Sequence, residues 1–157
     1  MTVIALTGIP GTGKTSICHI LRENGIKCFE ALEIIGSDSC MENDEVDLDC
    51  LAQLWARSEE NDVVIVSHYS HLLGADYVII LERKPEFIEK SLLERGYSSE
   101  KIFENMDSLY SDIIYQESLD RLPSTRIFRI MNVEDRKEKT AEDVKKIIVD
   151  IFSRHSL

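Results

Sequence analysis

Several things are scarce in this sequence, and each shortage narrows what the chain can be. No apolar run in its 157 residues approaches the ~20 needed to cross a bilayer. Met1 leads straight into an apolar strand pattern instead of a charged leader, so a cytoplasmic protein is expected. Cysteine is sparse: Cys18, Cys28, Cys40 and Cys50 form no C-x-x-C pair and have no histidine at ligand spacing. That excludes a recognisable zinc framework and leaves four reduced structural thiols as the expectation. Positive charge is also short, with 18 Lys and Arg against 29 Asp and Glu and a net charge of −11. Broad nucleic-acid binding needs clustered cations on phosphates, which this balance argues against, although a protein partner stays open. No repeat and no linker interrupts the chain. A hydrophobic share of 43% over this length fits one globular domain, 1–157, expected to be monomeric.

Three of the seven glycines fall in one stretch, Gly8-Ile9-Pro10-Gly11-Thr12-Gly13-Lys14-Thr15. It fits G-x-x-x-x-G-K-[ST], a pattern met by chance roughly once in 25,000 starting positions at average residue usage. The apolar run Val3-Ile4-Ala5-Leu6 precedes it, and Ile17, Ile20 and Leu21 follow at helical spacing. Strand, glycine turn and helix are the context a phosphate loop requires. Glycines let successive N–H groups converge on an anion at the positive end of the following helix. The expected ATP cradle is therefore Gly11, Thr12, Gly13, Lys14, Thr15 and Ser16. Lys14 reaches the β- and γ-phosphates and the Thr15 hydroxyl sits on Mg²⁺.

Downstream, Gly25 closes the first helix and Ile26–Glu30 reads as a short strand. Residues 30–49 carry eight acidic side chains and no Lys or Arg. They read either as a solvated loop or as a flap over a second substrate, followed by a helical seam at Leu48, Leu51, Leu54 and Trp55. Asp62–Ser67 is a buried-strand run that delivers Ser67-His68-Tyr69-Ser70-His71 at its carboxyl end. Ligands of open parallel sheets bind at that edge, so His68 is a functional candidate, while His71 reads more naturally as structural. Asp76–Leu81 is a further strand, and Pro85 opens a helix through Arg95. A long helical pattern covers Ser99–Arg121, and Arg126–Met131 is the last strand. Thr140 with Asp143 three residues on reads as a capping box that starts the final helix. Alternating strands and helices predict an α/β protein with a parallel, doubly wound sheet.

No N-K-x-D or D-x-x-G run is present, which excludes a switch GTPase of the usual kind, and the chain is short for a motor ATPase. Small kinases remain. Here the sequence resembles the adenylate kinase isoenzyme 6 group, also called coilin-interacting nuclear ATPase, and its archaeal members above all. The resemblance runs through the phosphate loop, Glu45-Val46-Asp47-Leu48-Asp49 and Ser67-His68-Tyr69-Ser70-His71-Leu72-Leu73. It continues through Arg95-Gly96-Tyr97, Glu100-Lys101, Asn105 and Tyr115-Gln116-Glu117. It implies a P-loop nucleotide kinase fold with a five-stranded parallel sheet, an AMP-binding flap over residues 30–55 and a short lid over 95–105. It implies Mg²⁺-dependent conversion of ATP and AMP to two ADP, with ATPase activity beside it. It also implies a role in maturing the small ribosomal subunit, in contact with a ribosomal protein. Lys14, Arg95 and His68 are then the expected catalytic residues.

The chain departs from that family where an acidic residue is usual two before the histidine (Val66 here). It departs again at the end of the fourth strand (Leu81-Glu82-Arg83), at Ser91 and at Leu109, and its flap has no arginine. These departures keep two other readings open, an ATP-hydrolysing assembly factor and a kinase for another small acceptor.

Overall fold

The computed structural model describes residues 2–31, 33, 41, 42, 45–47, 49, 50 and 62–155. Five strands form one parallel sheet: β1 (Val3–Thr7), β2 (Cys28–Glu30), β5 (Val63–Val66), β6 (Tyr77–Glu82) and β7 (Ile127–Met131). Their order is β2-β5-β1-β6-β7, with every pairing parallel. β1, β5 and the first five residues of β6 are buried throughout, as continuous apolar runs demand when helices cover both faces. A two-residue antiparallel pair, β3 (Met41–Glu42) with β4 (Glu45–Val46), lies in the acidic insert. The expected helix seam of Leu48, Leu51, Leu54 and Trp55, like most of the expected flap, lies outside the described residues.

Side-chain alternation along the strands builds one core on each face. Ile4, Leu6, Val64, Val66, Ile79 and Leu81 pack against Ile17 and Leu21 of α1 (Lys14–Glu23) and against Val144, Ile148 and Ile151 of α5 (Lys137–Arg154). On the other face Ala5, Val78 and Ile80 meet Ile88 and Leu92 of α2 (Pro85–Glu94), Ile102 of α3 (Ser99–Tyr110) and Ile114 of α4 (Ile113–Leu119). The chain reverses direction across the sheet at β1, whose neighbours are β5 and β6. A ligand crevice opens beyond the carboxyl ends of strands at such a point, and the glycine-rich loop occupies it.

Three sequence expectations need correction. The long helical pattern from Ser99 is two helices, because Asp112 takes a left-handed backbone (φ 57°) and turns the chain between α3 and α4. Its carboxylate accepts two hydrogen bonds from Arg129 at 2.9 and 2.7 Å, a tertiary contact that apolar spacing cannot report. The last helix begins at Lys137, a turn before the supposed capping box. Thr140 lies within that first turn, with its hydroxyl donated back to Arg136 O at 3.1 Å. Among the cysteines, Cys18 and Cys28 are free and buried where α1 covers β2, whereas Cys50 is disulfide-bonded. Spacing along the chain does not reveal which thiols approach in space. Cys40 lies outside the described residues.

Candidate nucleotide site

The loop from Gly8 to Gly13 has left-handed or extended glycines where the backbone must curl: φ is +93° at Gly11 and +98° at Gly13. A β-carbon on Gly13 would stand 2.5 Å from Asn132 Nδ2 and displace that amide, while the positive φ itself favours glycine there. Lys14 folds back on its own loop, donating to Gly8 O (2.7 Å) and Ile9 O (2.8 Å). Burial pushes its pKa down to about 7, with Glu30 opposing the shift and Arg95 adding to it. Thr12 turns inward, its hydroxyl donated to Ile9 O at 3.1 Å. Thr15 and Ser16 are exposed on the first turn of α1, and Thr15 Oγ1 donates to Glu30 Oε1 at 3.1 Å.

Two cavities flank this loop. One, of about 350 Å³, is lined by loop residues from Pro10 to Ser16 and by Glu30, Ala31, Ser67, His68, Tyr69, Arg95 and Tyr97. The other, of about 500 Å³, is lined by Arg83, Ser91, Arg95, the 132–135 turn, Lys137 and Glu138. Gly11, Gly13, Ser16 and Arg95 belong to both. Arg95 caps the carboxyl end of α2, and Gly96 (φ +76°) turns the chain away behind it. Lys14, Thr15, Ser16, Arg95 and His68 thus line one cavity.

The two histidines after β5 separate clearly. His68 is exposed at the first cavity and packs edge-on to Tyr69, with ring centroids 4.9 Å apart. Desolvation, then the charges of Lys14 and His71, hold its pKa below the usual imidazole value. His71 is buried, joined through Nδ1 to Thr7 Oγ1 (2.9 Å) and through Nε2 to Glu117 Oε1 (3.1 Å). Burial lowers its pKa and Glu117 opposes the shift. It braces the last residue of β1 beneath the loop and does not line the cavity.

Sequence reading missed the residues that hold the loop from outside. Arg83 Nη1 donates to Gly11 O at 2.9 Å while its other nitrogen pairs with both oxygens of Glu134 (2.7 and 2.9 Å). Asn132 Nδ2 donates to Thr12 O at 2.8 Å. In a trans peptide the N–H points opposite its carbonyl, so fixing these two carbonyls outward turns the N–H groups of Thr12 and Gly13 toward the anion side of the loop. The only signal in the sequence was position: Arg83 directly follows β6, which flanks the crevice, and Asn132 directly follows β7, the next strand out.

Among the described residues no three His, Cys, Asp or Glu side chains cluster as a metal cage. Oxygen donors at the loop, Thr15 Oγ1 foremost, instead suit a hard ion that keeps most of its ligands as phosphate and water, the habit of Mg²⁺.

The AAA domain family model matches residues 4–112. A Thermoplasma acidophilum protein named "Putative adenylate kinase" is 46% identical over 132 residues, covering 84% of this chain and 88% of its own. A Thermoplasma volcanium protein of the same name is 42% identical, covering 93% and 94%. Among solved structures, a shikimate kinase from Acinetobacter baumannii in complex with shikimate superposes with a TM-score of 0.66 at 13% identity, over 96% and 94% of the two chains. A gluconokinase from Sinorhizobium meliloti does so at 0.59 and 15%, over 98% and 94%. At such identities these last two speak to the fold alone.

Proposed function

This chain belongs to the adenylate kinase-like family of its archaeal relatives, and on that footing we propose that it transfers the γ-phosphoryl group of ATP to AMP, giving two ADP. The observation that carries the reading is the pair of cavities meeting at Gly11, Gly13, Ser16 and Arg95. A transfer between two nucleotides needs two sites that share one boundary, with a cation standing on it. ATP occupies the cavity beside Arg83 and the 132–135 turn, with its phosphates over the loop. AMP occupies the cavity beneath His68, Tyr69 and Tyr97.

Phosphoryl transfer asks a protein mainly to align the groups and neutralise charge. In this proposal the backbone N–H groups of the loop, oriented by Arg83 and Asn132, hold the β- and γ-phosphates. Lys14 leaves the carbonyls of Gly8 and Ile9 and takes up a phosphate instead, regaining its proton as it does. Arg95 stabilises the charge that develops on the transferring group. His68, kept neutral near pH 7, positions the acceptor phosphate through a hydrogen bond and not as a cation. Thr15 Oγ1 would hold Mg²⁺, which when bound would supply neutralisation of the phosphate charge. The motif Arg95-Gly96-Tyr97 with Glu100-Lys101 supports placing the chain in the isoenzyme 6 group of this family.

One feature favours a second reading. Of the described side chains lining the acceptor cavity, Lys14 and Arg95 alone are lysine or arginine, and Glu30 lines it with them. A site with so little to grip a monophosphate could instead admit water and hydrolyse ATP, as in an assembly factor acting on a ribosomal protein. A ligand with two adenosines joined through five phosphates separates the two. Under the kinase reading one molecule binds per chain and more tightly than ATP, by calorimetry. Binding no tighter than ATP removes the second nucleotide site.

A further inference from the structure

P-loop enzymes hold their metal with the loop's Ser or Thr and with a carboxylate delivered by a strand beside the loop. In this chain β5 is that strand on one side of β1, and it ends in Val66, followed by Ser67, neither of which offers a carboxylate. On the other side β6 ends in Glu82, but both of its oxygens are taken by Arg129 (3.1 and 2.7 Å), and it does not line the cavity. One strand further out stands Glu30, the last residue of β2 and the register partner of Val66. Partners directly opposite in a sheet face the same side, so Glu30 presents its carboxylate on the side where Val66 would have presented one. From there its side chain reaches Thr15, Oε1 standing 3.1 Å from Oγ1.

Glu30 is the one acidic side chain among the described residues that lines the acceptor cavity. Among the described residues its carboxylate has no ion-pair partner within 4.0 Å. A lone carboxylate beside a triphosphate is repelled unless a cation lies between them. A single carboxylate, one hydroxyl and the phosphates themselves make up the sparse oxygen set with which proteins usually hold Mg²⁺. From this geometry we propose that Glu30 supplies the carboxylate of the nucleotide's Mg²⁺ site, together with Thr15 Oγ1. The inference rests on the nucleotide-binding part of the function proposed above.

The test uses the full chain, ADP and Mn²⁺ as a paramagnetic stand-in for Mg²⁺, with metal affinity read from the electron paramagnetic resonance signal of free Mn²⁺. ADP binding in the presence of a chelator is measured alongside. In Glu30→Gln the Mn²⁺ affinity of the ADP complex is expected to fall by about tenfold or more, while metal-free ADP binds as well as before or better. Glu30→Asp, which keeps the charge, should retain more Mn²⁺ affinity than Glu30→Gln. A smaller fall in Glu30→Gln, or equal losses in the two variants, overturns the assignment while leaving nucleotide binding intact. A wild-type chain that binds no ADP at all overturns both this inference and the reading on which it rests.

Discussion

At the scale of single residues, the site turns on two cations with different tasks. Lys14 is desolvated by its own loop and titrates near 7 in the nucleotide-free protein, far below the ordinary lysine value of 10.5. A bound phosphate favours the charged form, so nucleotide binding above pH 7 should take up a proton, and affinity should fall as pH rises. Calorimetry at pH 8.5 in two buffers of different ionisation enthalpy measures that uptake; identical heats would contradict it. The same shift has a stability consequence. Between pH 7 and 10.5 the unfolded chain binds more protons at this lysine than the folded chain, so its contribution to stability rises with pH. Denaturation midpoints of the nucleotide-free wild type should therefore rise relative to Lys14→Met between pH 7 and 9.5. Arg95 is exposed at the meeting of the two cavities and spends no bond on the loop. Arg95→Ala should lower kcat by about 10²-fold or more while ATP affinity changes only a few-fold. A kcat within twofold of wild type takes Arg95 out of the mechanism.

At the scale of elements, the loop is held by parts distant in sequence. The outward carbonyls of Gly11 and Thr12 are fixed from the ends of β6 and β7, and α2 closes against Gly11 through Ile88 and Leu92. Gly13→Ala places a β-carbon 2.5 Å from Asn132 Nδ2 at a positive φ, so ATP binding should be lost in a chain that still folds, with circular dichroism as the check. Leu92 is fully buried in the core that seats α2. Leu92→Ala should cost about 2–5 kcal/mol in denaturant unfolding, with activity falling further than the folded fraction, because α2 carries Arg95 at its end.

The elements also show what a sequence can and cannot disclose. The buried strands and the phosphate loop were legible because apolar runs and glycine spacing are local signals. Asp112 was not, because its left-handed turn is settled by Arg129 from another strand. Asn132 was invisible for the same reason: nothing beside it in sequence says that its amide meets Thr12, 120 residues away. Glu30 stood in plain view within an acidic run, yet only the pairing of β2 with β5 sets it apart from the other seven acidic residues of that run.

At the scale of the whole molecule, strand order does the organising. With β5 and β6 on either side of β1, the crevice above β1 is bounded by two different walls. One carries Glu30, His68 and Tyr69, and the other carries Arg83 and Asn132. The loop divides them, which leaves a separate space on each side of it. The chain's net charge of −11 opposes polyanions in general, so attraction for nucleotides must come from the few cations gathered at this divide.

The central claim is that a phosphoryl group crosses that divide from one nucleotide to the other, and its most direct test is the fate of the γ-phosphoryl group. The chain would be given ATP labelled at that position, Mg²⁺ and unlabelled AMP, with Lys14→Met as the inactive control. The account predicts that the label moves into ADP as AMP is consumed, two ADP forming for each AMP. Label released as free phosphate, at a rate indifferent to AMP, would contradict it and make the protein an ATPase.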